Sequence, residues 1–129
     1  MLKKCESKVI RYKFTMGVVI LILIGILMPG ESVPQVGIPG LDKVVHFGMF
    51  FVLTGVYYLE YLMNNKKLPV WYYAVACLFV FAGSTEFMQL FASSRSMDIL
   101  DLSVDTMGIF IASLLWVAFV KLREGKVAK

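Results

Sequence analysis

His46 is the one histidine in the chain, and it follows Asp42 by four residues and Lys43 by three at the head of an apolar run. Further on, Glu86 and Gln89 are three apart, Arg95 and Ser96 come next, and Asp98, Asp101 and Asp105 recur at intervals of three and four. Such intervals gather side chains on one helix face, so Asp42 with His46, Glu86 with Gln89, and Asp101 with Asp105 form three short polar faces. An imidazole among carboxylates is suited to general acid–base chemistry, and His46, Glu86, Asp42 and Asp101 are the candidates to give or take a proton. Lys43, Gln89, Arg95, Ser96, Asp98 and Asp105 would bind a ligand, with the forked guanidinium of Arg95 suited to a phosphate or carboxylate. The same donors, one imidazole and many carboxylates, would suit a hard divalent cation before zinc. No HExxH or cysteine-rich spacing accompanies them, so the sequence predicts no cofactor. Ser84, Thr85, Ser93, Ser94 and Ser96 have no evident base partner and read as ordinary hydroxyls.

The chain that must position these groups is strongly apolar. Of its 129 residues 59% are hydrophobic, and its mean hydropathy is +0.77. So little polar surface cannot cover a water-soluble globule of this size. A hydrocarbon layer of about 30 Å takes roughly 20 helical residues to cross, and four apolar stretches stand out at 14–28, 44–63, 70–91 and 102–120. No two-residue alternation suggests barrel strands. The expectation is an all-α membrane protein, a four-transmembrane-helix bundle forming one domain over residues 1–129. Pro29 with Gly30 closes the first span, and Pro69 opens the third where its missing N–H costs nothing. The basic stretch ahead of the first span would also suit a signal peptide, but "MPGESVPQ" offers no small-x-small cleavage site, so that helix is read as retained.

Orientation follows from the excess of Lys and Arg in cytoplasmic segments. Lys3, Lys4, Lys8, Arg11 and Lys13 precede or begin the first span, Lys66 and Lys67 separate the second and third, and Lys121, Arg123, Lys126 and Lys129 follow the fourth. The other two loops hold only Lys43 and Arg95. Both termini are therefore expected inside, with the ionisable groups at the outer ends of the spans. The net charge of +4 reports this topology and not nucleic-acid binding, since no basic stripe or aromatic platform accompanies it. A carboxylate at membrane depth costs on the order of 2.5–3.5 kcal/mol, so these groups should turn inward and meet in one buried polar site. Elsewhere the residues have plainer readings. Trp71, Tyr72 and Tyr73, with Tyr57, Tyr58 and Tyr61, suit an interfacial aromatic belt. Glu60 is expected to snorkel toward Lys66 or Lys67, and Gly83 and Gly108 to let helices pack closely. Phe79, Phe81, Phe87 and Phe91 suit packing or lipid contact, and Cys5 and Cys77 are too far apart to pair.

"DKVVHF" at the head of a span, then "EFMQLF", then "RSMDILDLSVDTMG" resemble the VanZ-like family of small bacterial membrane proteins. That pattern is Asp-Lys-x-x-His-Phe, Glu-x-x-Gln, and Arg-Ser followed by Asp, Asp, Asn and Gly. The likeness runs from Leu41 to Gly108, with Asp42, Lys43, His46, Phe47, Glu86, Gln89, Arg95, Ser96, Asp98, Asp101 and Gly108 in matching places. Asp105 departs from it, standing where the family more often has Asn. The resemblance implies a multi-pass protein of the bacterial cytoplasmic membrane with a cell-envelope role that bears on susceptibility to teicoplanin-type glycopeptides. Its implied partners are the lipid bilayer and a lipid-linked or cell-wall precursor. The residues themselves leave three readings open: an enzyme site, a site that binds a ligand or ion or moves protons without catalysis, and an ion-paired network that only fixes helix register.

Overall fold

The computed structural model of the protein describes residues 8–28, 37–91 and 98–128. Cys5, most of the first outer loop, Arg95 and Ser96 lie outside the described residues. The fold is all-helical, with no strand among the described residues: α1 is Lys13–Leu27, α2 Leu41–Asn65, α3 Trp71–Gln89 and α4 Ile99–Val127. Hydropathy marks the apolar part of a helix, whereas caps set its ends, so two helices outrun their expected spans. α2 begins after Gly40, whose φ of +77° suits the left-handed turn into it, and so takes Asp42 and Lys43 into its first turn. It ends at Lys66, also left-handed at φ 60°, whose N–H donates to the Leu62 carbonyl. α4 begins after Asp98, whose side chain accepts the Leu100 N–H at 2.8 Å. It then continues past residue 120 and carries Lys121, Arg123 and Lys126 on helix.

Among the described residues α2 and α4, of 25 and 29 residues, are the helices long and apolar enough to cross a membrane, while the apolar α1 has 15. Only 33% and 28% of their most apolar stretches are buried within the protein. Leu21, Val80 and Leu114 likewise turn more than half their surface outward. A soluble monomer does not leave so much apolar surface to water, and this exterior suits lipid.

Helix directions alternate. The start of α1 meets Glu60 near the end of α2, and Glu86 near the end of α3 approaches Asp98 at the start of α4. α2 and α4 run parallel, since Lys43 meets Asp101, His46 meets Asp105, and Gly55 lies by Trp116. Ile22, Ile26, Phe50, Leu53, Ala82 and Ile109 form the core between them. The hydroxyls of Thr54, Thr85 and Ser113, all buried, donate to the carbonyls of Phe50, Ala82 and Ile109. A Cβ on Gly108 would stand 2.7 Å from the Phe47 carbonyl oxygen and 3.2 Å from the Phe51 nitrogen, so glycine lets the α2 and α4 backbones touch. Gly83 has no such duty: nothing lies within 4 Å of a Cβ there.

Two interior residues differ from expectation. Tyr58 is fully buried and belongs to the packed interior, not to an interfacial belt, while Tyr57 beside it stacks on Tyr12. Glu60 does not reach for Lys66 or Lys67. It is buried at the start of α1, where Oε1 accepts the Phe14 N–H at 2.9 Å and Oε2 accepts the Thr15 N–H at 2.8 Å and the Thr15 hydroxyl at 2.6 Å. Tyr12, the residue preceding α1, supplies no side-chain cap. The first N–H groups of a helix lack intrahelical partners and carry partial positive charge, which a buried carboxylate satisfies better than an exposed lysine would satisfy the carboxylate.

Candidate functional site

α2 and α4 start at the same end of the bundle and α3 finishes there, so the first turns of two helices and the last turn of a third enclose one volume. Into it come Lys43 and His46 from α2, Glu86 from α3, and Asp101 and Asp105 from α4, with Asp98 at its edge, while Gln89 is buried one turn after Glu86 at the end of α3. Lys43 Nζ donates to Asp101 Oδ1 at 2.7 Å and to Asp98 Oδ2 at 3.1 Å. His46 Nδ1 lies 3.1 Å from Asp105 Oδ1 and 3.7 Å from Glu86 Oε1. An ionised carboxylate only accepts, so Nδ1 carries the ring proton toward Asp105. Nε2 then faces Asp101 Oδ2 across 3.7 Å. Glu86 Oε2 accepts the Asp98 N–H over a long 3.4 Å. At the edge, the Leu100 N–H and then the Lys43 ammonium hold the Asp98 carboxyl below the usual carboxylate range.

Depth and partnering set this cluster apart from surface ion pairs. Glu86 and Asp105 are fully buried, and Gln89, His46 and Asp101 are buried as well. Glu86 Oε1, Asp105 Oδ2 and Gln89 Nε2 have no hydrogen-bond partner among the described residues. Most buried polar atoms in folded proteins are partnered, so orphaned oxygens on two carboxylates of one cluster are a specific feature. Among the described residues the cluster is rich in acceptors and poor in donors: four carboxylates face one ammonium and one imidazole. A ligand atom from each of His46, Glu86 and Asp101 lies within 4.8 Å of the other two.

The expected wall residue Asp42 stands apart. Its side chain is 65% exposed and reaches the cluster only through Lys43, 3.5 Å away. On a helix of 3.6 residues per turn, positions three and four before His46 flank it at about 60° and about 40° on opposite sides, and the acidic face of α4 lies on the lysine's side. Arg95 and Ser96 fall outside the described residues. Among those described, no ionisable side chain beyond the ones named joins the cluster.

A family model described as VanZ/LLP1 matches residues 6–120 of the chain. An uncharacterized protein of Schizosaccharomyces pombe is 33% identical over 94 residues, 73% of this chain and 57% of that protein. The chain thus spans little more than half the length of that relative. No solved structure matches.

Proposed function

The chain belongs to the VanZ/LLP1 family, and on that premise we propose that it is a multi-span membrane protein that holds the head group of a lipid-linked or cell-envelope molecule in the cluster between α2, α3 and α4. In this reading α1 to α4 all cross the bilayer, both termini face the cytoplasm, and the cluster opens toward the outer rim. The distribution of Lys and Arg supports that orientation.

The observation that carries the binding reading is the pair of orphaned oxygens, Glu86 Oε1 and Asp105 Oδ2, on fully buried carboxylates. A network whose purpose was helix register alone would close its own hydrogen bonds, because an unmet buried acceptor costs stability and adds no specificity. Groups that donate, the hydroxyls of a sugar or the ammonium of an amine head group, would satisfy them. Glu86, Asp105 and Gln89 hold the ligand, Lys43 fixes Asp98 and Asp101, and His46 is oriented by Asp105 beside the bound group. In a bacterial cytoplasmic membrane, occupancy by a cell-wall precursor would alter susceptibility to teicoplanin-type glycopeptides.

Lipid retention tests this reading. Full-length wild type and Glu86→Gln are purified in mild detergent from the same membranes, and their bound lipids are identified by native mass spectrometry. Wild type should retain a head-group class that Glu86→Gln loses at equal helicity and thermal stability. Equal retention by both would overturn the proposal. A reporter fused after Lys129 tests the orientation, which fails if the reporter is active only outside the cell.

A further inference from the structure

We infer that the cluster binds a divalent cation, with His46, Glu86 and Asp101 as its protein ligands and Asp105 as the group that orients the imidazole. The inference rests on the cluster being a ligand site, as proposed above, but not on which head group enters it. Four features converge on it.

Geometry comes first. Two donors that share an ion at about 2.1 Å each can stand at most about 4.2 Å apart, and His46 Nε2 and Asp101 Oδ2 are already 3.7 Å apart. A Glu86 oxygen lies within 4.8 Å of a His46 ring nitrogen and of an Asp101 oxygen, with Oε1 3.7 Å from Nδ1 on the same ring. The proton inventory comes second. With Nδ1 donating to Asp105 at 3.1 Å, the neutral imidazole turns its Nε2 lone pair toward Asp101 Oδ2, 3.7 Å away, which is the form an ion would take up. A metal-bound histidine is commonly held in this way, its second nitrogen donating to a carboxylate that fixes ring orientation and raises basicity.

Lys43 supplies the third feature. It occupies Asp101 Oδ1 at 2.7 Å and so turns Oδ2 toward the imidazole. The fourth is electrostatic. Glu86 is fully buried and its Oε1 has no donor among the described residues, and among those residues four carboxylates stand against a single ammonium. A doubly charged ion relieves that excess where it is greatest. One imidazole with two carboxylates suits Mn²⁺ or Zn²⁺ better than Ca²⁺, which takes six to eight oxygens.

The test uses untagged full-length protein in detergent, stripped with a chelator and titrated with Mn²⁺ alone and with Zn²⁺ alone. One ion should bind per chain, saturably. Glu86→Gln and Asp101→Asn should each weaken binding by about tenfold or more, and Asp105→Asn by about 10–100-fold with the stoichiometry unchanged. Asp42→Asn, outside the cluster, should bind as wild type does. Because His46 is the chain's single histidine, imidazole-nitrogen modulation in the pulsed EPR of bound Mn²⁺ can come from no other residue, and this reading needs no variant to fold. No saturable binding of either ion by folded wild type, or bound Mn²⁺ without nitrogen modulation, would overturn the inference. Lipid retention that survives chelation while metal binding fails would sink this inference alone. Metal binding with no selective lipid would sink the head-group reading alone.

Discussion

Glu60 and Glu86 are both glutamates inside an apolar helical bundle, 5% and 0% exposed, and they do opposite things. Glu60 is consumed by the fold: both its oxygens are occupied by the start of α1, through the backbone N–H groups of Phe14 and Thr15 and the Thr15 hydroxyl. Glu86 is only half used. One oxygen has a single long contact with the Asp98 N–H, and the other has no partner among the described residues. Burial of a charge inside an apolar helical bundle therefore does not by itself mark a functional site. The distinguishing quantity is how many of its hydrogen bonds the protein completes.

The largest effect that tests this contrast is expected at Glu60. Glu60→Ala strips two helix-terminal N–H groups and a hydroxyl of their acceptor, a loss of about 3 kcal/mol or more from charge-assisted bonds and a helix cap. Folded protein in the membrane and the thermal midpoint in detergent should both fall sharply. Glu86→Gln keeps the volume, removes a charge whose only donor among the described residues is the long Asp98 N–H contact, and should change stability by less than about 1 kcal/mol in either direction. Equal destabilisation of the two variants would erase the distinction.

The same contrast explains what the sequence made legible. Helix-period spacing among apolar residues was enough to place Lys43, His46, Glu86, Gln89, Asp101 and Asp105 at helix ends, because a lone polar residue in a greasy run is conspicuous. Glu60 was misread because its partners are backbone groups 45 and 46 residues away, and no side-chain pattern announces a free N–H. With Lys66 and Lys67 nearby in sequence, a salt bridge looked sufficient. Asp42 was misread for a different reason. Periodicity places Asp42 and Lys43 on opposite sides of His46, Asp42 slightly nearer, and only the packing of α4 decides which of them faces in. The extension of α4 to Val127 was hidden because a charged helical turn lowers hydropathy without breaking hydrogen bonds.

A middle-sized effect is expected at Gly108, and it separates the two glutamates by location. The α2–α4 contact at Gly108 lies one turn beyond the His46–Asp105 pair and far from the α1 end held by Glu60. In Gly108→Ala the new methyl would meet the Phe47 carbonyl at 2.7 Å, forcing the helices apart at a cost of about 1–3 kcal/mol. His46 should move away from Asp101 and Asp105, so ligand retention falls together with stability. Gly83→Ala, with open space around it, should be neutral or gain up to about 1 kcal/mol from helix propensity. Circular dichroism melts of both variants, with the lipid and metal readouts above, check the pair. A destabilised Gly108→Ala with undiminished binding would detach the site from the α2–α4 helix contact.

The smallest effect is expected at Asp98, where the buried cluster meets its edge. Its carboxyl is held below the usual carboxylate range by the Leu100 N–H and then by Lys43. A carboxyl lowered in this way adds stability that is fully present above its unfolded value of about 3.9 and disappears as pH falls through the folded value. Asp98→Asn keeps a competent helix cap but no charge, so wild type should melt slightly higher at pH 7 and at pH 5, and the two melting curves should converge below about pH 4. The Asp98 N–H that reaches Glu86 is retained in both proteins, so a drop in ligand retention in Asp98→Asn would have to come through Lys43. A melting difference that stayed constant down to pH 3 would remove the Lys43–Asp98 pair from the stabilising contacts. Lys43 would then serve Asp101 alone, and Glu86 would lie beside a cluster even poorer in positive charge, which widens its difference from Glu60.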